Sequence, residues 1–414
     1  MVYLILIPIV ISILFTINLI GSVSAAAAAP STDCITFNYS SKKIMITCAY
    51  ANIVDIYNQI NDNNILSKES STENIWLLNA GLDIQRGATL YINSTDTNWL
   101  KIVSDGINPN AIHVFGSLKI DSVKITSWNP STNSYGTTNG TRHSAEDKLV
   151  THIGTLRPVI KVEGDATGTT DITNSEIAYL GYEGGTSPGA SGLSYYGGDN
   201  SIIKNNKIHN LYFGFYSKGV GGIVIEDNLI YDNDIYGLDP HTGTHDMVIR
   251  NNIVYNNGGF GIICSVDCYN ITIENNKVHD NYHGIMLSRN MTNSIVKGNN
   301  IYNENVTGIA ISDSYNNQIF RNTISNSEDG VFLNVKASNN QIFRNTISNS
   351  SNAIVFSSDA GSDNILTDNK IILNKLGQTD ITFQGDSEKQ NNTFIKNKKV
   401  IKYSLPRFND EDNG

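Results

Sequence analysis

NNQIFRNTISNS stands at residues 316–327 and again, unchanged, at 339–350, which sets a local period of 23 residues. Looser copies run outward from this pair. An Asn recurs as Asn206, Asn228, Asn252, Asn276, Asn300, Asn322, Asn345 and Asn369, at intervals of 22 to 24. A Gly keeps the same clock at Gly214, Gly237, Gly261, Gly284, Gly308 and Gly330, and Ala353 continues it. Each period holds short alternating apolar stretches separated by Asn- and Gly-rich corners, as in NSIVKGNNIYNENVTGIAI at 293–311. No stretch is long enough for a helix, and alternation with a period of two marks a strand. A leucine-rich repeat shares the period but not the leucine spacing, and helical repeats need longer units. The pattern therefore predicts an all-β chain, a right-handed parallel β-helix (a solenoid) with 22–24-residue coils stacked roughly 4.8 Å apart. Its recurrent Asn residues are expected to form structural amide ladders at the corners.

The organisation follows from where this clock starts and stops. Residues 4–20, LILIPIVISILFTINLI, are almost continuously apolar and lead into SVSAAAAAP, so 1–29 read as an export signal, or as an uncleaved N-terminal anchor. Residues 30–75 read as an N-terminal cap, with a short amphipathic helix within 49–66, because a bare solenoid end would expose core and strand edges. The β-helix is expected over 76–400, with loops at 127–148 and 184–200, and 401–414 as a polar tail. No later run is apolar enough to cross a membrane, so no stable insertion is expected once the signal is removed. Export permits a disulfide between Cys34 and Cys48; Cys264 and Cys268 lack the second pair that a metal site would need.

Charged residues make up 16% of the chain, below the usual ~25%, so solubility rests on Asn, Ser, Thr and Gly. The net charge of −10 and the lack of a basic cluster exclude a nucleic-acid surface. A polyanionic substrate would have to be held by local cations.

IYGLDPHTGTHD, 235–246, departs from the repeat. Counting from each repeat Gly, the first and third following residues point inward, and the second and fourth point out to solvent. Asp239 and His241 then share the outer side of one strand, with Tyr216 and Lys218 on the preceding coil and Pro240 inward between them. Tyr236, His245, His283 and Arg289 lie close in the repeat. His209 and His279 fall in a column otherwise filled by Tyr231 and Tyr255, and read as wall residues.

A long, shallow β-helix face suits an extended polymer. A neutral His can remove a proton, and Lys or Arg can neutralise an anion beside the reacting carbon. That set fits proton abstraction next to a uronate carboxylate, followed either by return of a proton to the opposite face (epimerase) or by β-elimination (lyase). Hydrolysis would need a second acid, and none stands in the neighbouring outward columns. A non-catalytic carbohydrate-binding or surface structural β-helix is the third reading.

The run 212–265, with Tyr236-Gly237-Leu238-Asp239-Pro240-His241 at its centre, resembles mannuronan C5-epimerases of the exported, single-domain, periplasmic type. ITSWN at 125–129, RPVI at 157–160 and EIAYLGY at 176–182 add to the likeness, which covers roughly 100–350. The resemblance implies conversion of mannuronate to guluronate within an alginate-like polymer, with His241 as the base that removes the C5 proton, Asp239 in the catalytic cluster and Tyr236 as a proton donor. Lys218, Tyr216, His245, His283 and Arg289 would bind the anionic polysaccharide, and neither a metal nor another cofactor is called for. Two positions depart from the pattern. The Arg that follows the GIIIS-like strand is replaced by Val266, with Arg289 in the same column one coil later, and Thr242 stands where an acid is usual. No calcium-binding nonapeptide repeats occur. The reading names no protein partner and is compatible with a monomer.

Overall fold

The computed structural model describes residues 34–402, apart from 71, 105–109, 137–155 and 184–189. The signal or anchor at 1–29 and nearly all of the 401–414 tail lie outside the described residues. The chain winds as a right-handed parallel β-solenoid whose three faces are sheets of 14, 14 and 12 strands among the described residues. In one coil, Leu238–His241 belongs to the first sheet, Val248–Arg250 to the third and Ile253–Tyr255 to the second. The next coil repeats the order. Among the described residues, the strands pair in parallel except in two hairpins at the start, Ile35–Asn38 with Lys43–Ile46 and Leu66–Ser70 with Ile75–Leu78.

The starting end is closed by the helix Ile53–Ile60, which buries Ile53 and Ile56. Asn52 caps it by accepting from the Asp55 N–H, while the Asp55 carboxylate accepts from the Asn52 N–H. A disulfide joins Cys34 to Cys48 across the first hairpin. Cys264 and Cys268 are free and buried. No helix of the described residues is long and apolar enough to cross a membrane.

The repeat Gly has a steric cause. A Cβ on Gly237 would lie 2.5 Å from the Gly261 carbonyl oxygen, and one on Gly214 would lie 2.4 Å from that of Gly237. Only a residue without a side chain lets successive backbones approach so closely. The Asn clock has an equally direct origin. From Asn206 to Asn369, each side-chain amide donates both to the Asn Oδ1 of the next coil and to an inner carbonyl, as Asn252 does to Asn276 and Ile225. These amides are buried, so the ladder satisfies backbone groups that the tight corner would otherwise strand. One rung differs from the sequence reading: the ladder residue is Asn299, and Asn300 is an exposed member of the next strand. A double Asn leaves that register open, and burial decides it.

Two expected loops also contain strand. Ser127 and Trp128, at the start of the 127–148 stretch, complete the strand Lys124–Trp128, and 137–148 lies outside the described residues. Within 184–200, Gly192–Tyr195 is a fully buried strand of the first sheet, and 184–189 lies outside the described residues. The glycines around it hid its alternation.

A second buried ladder, Asn233, Asn257 and Asn281, ends on Glu304, whose carboxylate accepts from the Asn281 backbone. Burial holds Glu304 well above the usual carboxylate range, and the next hydroxyl, Ser327 Oγ, has no partner. A carboxyl group whose folded pKa is raised costs stability progressively as pH climbs above its unfolded value. Glu304→Gln removes that cost and supplies an N–H toward Ser327. We expect it to stabilise the protein by about 1 kcal/mol or more near pH 7, with the gain in melting temperature shrinking toward pH 4. Thermal unfolding across this range checks the prediction.

Candidate functional site

Three columns of side chains line the outer face of the first sheet. Phe213, Tyr236, Phe260 and His283 form one rim at the strand starts, with successive ring centroids 5.1, 5.6 and 4.5 Å apart. The floor is Ser194, Tyr216 and Asp239 in register, followed by Ile263 and Met286. The other rim, at the strand ends, is Lys218, His241, Ser265 and Ser288, with Arg289 directly after it. The result is a groove with an aromatic wall and a wall carrying imidazole and cations.

Asp239 is the principal correction to the sequence reading. It points outward, as alternation requires, but it is only 3% exposed, because Tyr216, Ile263 and the rims close over it. Tyr216 is likewise buried at 4%. Burial drives the Asp239 carboxyl well above the usual range, against the opposing pull of Arg289, which favours the neutral acid. Its Oδ1 has no hydrogen-bond partner among the described residues. A buried acid with an unused oxygen is suited to donating to an incoming anion.

Pro240 is buried between the two functional residues. The strand is in register with the next coil at Leu238 and His241 but not between them, as expected where the proline cannot donate. His241 is half-buried, and its Nδ1 lies 2.5 Å from Thr242 Oγ1. Burial, then the charges of Arg289 and Lys218, lower its pKa. The lowered pKa favours the neutral imidazole, and in the tautomer whose Nδ1–H donates to Thr242 the free base is Nε2. Thr244, buried behind the strand, donates its hydroxyl to the His241 carbonyl and steadies the turn.

Tyr236 stands on the opposite rim. Its ring is seated against Gly259, where a Cβ would come within 2.8 Å of it. Burial and the nearby Asp239 raise the phenol, while Arg289 lowers it. Arg289 is exposed and forms no ion pair among the described residues, and its charge is felt by Tyr236, Asp239 and His241 alike. It follows Ser288 as Val266 follows Ser265, one coil later.

The structure brings Tyr216, Tyr236, Asp239 and His241 together, with Lys218 and Arg289 at the edge. His283 lies two coils along the aromatic rim, stacked on Phe260, and burial brings it down to about 4. It cannot carry a positive charge toward a polyanion at neutral pH. His245 is not in the groove: it bonds Asp246 at 2.8 Å and stacks on Tyr269 at the adjoining corner. Its sequence proximity misled because the chain turns after Thr242. His209 and His279 belong to a separate ring stack on the second sheet with Tyr231, Tyr255 and Tyr302. Phe260 and Ser194 were missed in the sequence, although the repeat Gly places Phe260 one residue before it, in the column of Tyr236. No group of His, Cys, Asp and Glu among the described residues is arranged to hold a metal ion.

A mannuronan C5-epimerase of Pseudomonas fluorescens is 27% identical over 142 residues, which are 32% of this chain and 24% of that protein, so the match spans about a quarter of its length. The crystal structure of the periplasmic alginate epimerase AlgG superposes with a TM-score of 0.72 at 20% identity, covering 86% of this chain and 85% of that one. The A-module of the Azotobacter vinelandii mannuronan C-5 epimerase AlgE6 superposes at 0.55 with 17% identity, covering 80% and 89%. These two structures share the solenoid fold. The model of the right-handed β-helix region matches residues 158–301 and 263–405, a span that includes the groove and most of the coils, and the chain belongs to this family.

Proposed function

We propose that the chain is a polyuronate C5-epimerase that converts mannuronate to guluronate residues in an alginate-like polymer. One observation carries the reading: a neutral imidazole and a phenol stand on opposite walls of a groove whose floor, between them, is a neutral carboxylic acid. Inversion at a carbon needs this placement of base and acid on either side of the ring. The sequence relative and the AlgG fold, each named for this activity, support it.

The polymer lies along the groove with the carboxylate of the reacting sugar toward Asp239 and Arg289. His241 Nε2 takes the C5 proton; the C–H electron pair moves into the carboxylate, giving an enediolate. The Arg289 charge and a hydrogen bond from the Asp239 hydroxyl stabilise the negative charge that develops there. Tyr236 then gives its proton to the other face of C5 and is reprotonated by solvent, while His241 releases its proton to solvent. The weak acidity of the buried phenol is no obstacle, because the acceptor is a strongly basic carbanion. Lys218 helps keep His241 neutral and adds to the anion-attracting wall.

The apolar N-terminal stretch and the Cys34–Cys48 disulfide support export to an oxidising compartment. Polymannuronate incubated with the purified protein should gain guluronate signals in its proton NMR spectrum without unsaturated chain ends absorbing in the ultraviolet. Accumulation of unsaturated ends would replace the proposal with a lyase; an unchanged polymer would leave a binding protein.

A further inference from the structure

Inside the solenoid, directly behind the strand that carries Asp239 and His241, two buried hydroxyls meet. We propose that Ser217, acting through Thr244, is a positioning residue for His241: the two hydroxyls tie the His241 backbone to the preceding coil and set where its imidazole stands in the groove. The inference rests on the epimerase reading for the reaction that His241 serves, but the hydroxyl chain itself is independent of the substrate.

Ser217 breaks the character of its column. On later coils the same inward position holds Leu287, Ile311, Leu333 and Phe356. Thr244 precedes His245 at the place where the preceding coil has Val220 before Gly221. Both residues are 0% exposed, so each hydroxyl must find its partner inside the protein. Thr244 Oγ1 donates to the His241 carbonyl at 2.8 Å, and Ser217 Oγ lies 3.0 Å from Thr244 Oγ1. A hydroxyl has one proton, and that of Thr244 is engaged by the carbonyl, so Ser217 donates to Thr244. The result is a directional chain from Ser217 to Thr244 to the His241 carbonyl, in which each bond polarises the next.

The reacting strand is loosely held on its other side. Pro240 has no N–H, and toward the next coil the strand is in register at Leu238 and His241 only. Cys268 Sγ lies 3.6 Å from the Pro240 carbonyl but nearer to that of Ser265, at 3.3 Å, and has one weak donor for both. After His241 the backbone turns through Thr242 and Gly243, both at positive φ, and their N–H groups bond forward to Ser265 and Val266. The hydroxyl chain holds the same turn from behind, through the strand Phe213–Lys218. The His241 ring lies among Tyr216, Lys218 and Arg289, with Asp239 beside it on the same strand. A small rotation of its backbone therefore changes both its reach toward a substrate and its burial. Burial lowers the His241 pKa, so a ring held less firmly and reached by water titrates closer to the ordinary value of about 6.5.

The test combines steady-state kinetics with an NMR titration of the His241 imidazole in the full chain. The double variant Ser217→Ala/Thr244→Val removes both hydroxyls and nearly keeps their shapes, so neither is left without its partner and the fold is retained. It should lower kcat by about tenfold or more, leave KM nearly unchanged, and move the imidazole titration and the acidic limb of kcat/KM to higher pH. Thr244→Ser, which keeps the hydroxyl, should retain the parental values. Circular dichroism reports folding; if the double variant fails to fold, Ser217→Ala alone decides by the same measurements, because Thr244 still bonds the carbonyl in it. Parental kcat or a parental titration in the folded variant overturns the proposal, and so does an equal loss in Thr244→Ser, which would make the effect one of packing. Failure of the epimerase reading would register separately, as absence of turnover by the unmodified protein, and the imidazole titration would still decide the hydroxyl chain.

Discussion

His241→Gln is expected to abolish the proposed epimerisation, with kcat reduced by about 10³-fold or more, while the solenoid and its melting temperature remain close to those of the parent. The size of the loss follows from the role: without a base, the weakly acidic C5 proton has no acceptor of suitable strength, and positioned proton transfer contributes ~10²–10⁴-fold. The structural cost is small because His241 is half-buried on the outer face and the core residue before it in the coil, Leu238, is untouched. The pH dependence of the parent tests the same assignment. Burial, Arg289 and Lys218 all lower the imidazole pKa, so activity should hold through neutrality and its acidic limb should fall only below the ordinary histidine value of about 6.5. Arg289→Ala should move that limb to higher pH, since it removes a charge that keeps His241 neutral. A steady-state profile of kcat/KM measures both effects.

Asp239→Asn is expected to lower kcat by about 10²-fold and at the same time raise the melting temperature at neutral pH. The pairing of effects is the signature of a functional acid held in an unfavourable place. In the folded protein burial raises the carboxyl pKa and favours the neutral form; in the unfolded chain it ionises near 3.9. The unfolded state is therefore favoured progressively as pH rises above that value, and an amide, which does not ionise, removes the penalty. Activity falls because the amide cannot share an acidic proton with the developing enediolate, although KM should change little. Asp239→Ala should lose more activity and, by opening a cavity beneath Tyr216, forgo the stabilisation. Thermal unfolding at neutral pH and at pH 4, beside steady-state kinetics, separates the two variants.

The fold was legible because a solenoid repeats its steric demands. From Gly214 to Gly330 each coil sets a bare Gly where backbones meet, as Gly237 meets the Gly261 carbonyl, and a buried Asn amide at another corner, so the period appears directly in the letters. Register slipped only at Asn299 and Asn300, where two identical residues compete for one rung. The site was legible in its alternation but not in its burial. Parity places Asp239 outward; it cannot reveal that Tyr216 and the rims close over it, and that closure is what makes the acid neutral. His245 follows His241 by four residues yet leaves the groove, because the turn at Thr242, which has a positive φ of 33°, redirects the chain. Ser194 was hidden for another reason. Gly192–Tyr195 lies among glycines that resemble a loop until its neighbours Ile160 and Phe213 show it to be a strand.

The most direct test is to incubate polymannuronate with the mature protein in heavy water and read C5 by NMR or mass spectrometry. The account predicts that deuterium appears at C5 of the guluronate residues formed, without ultraviolet-absorbing chain ends, and that His241→Gln protein incorporates none. Guluronate formed without solvent deuterium, or exchange that persists in the His241→Gln protein, would contradict it.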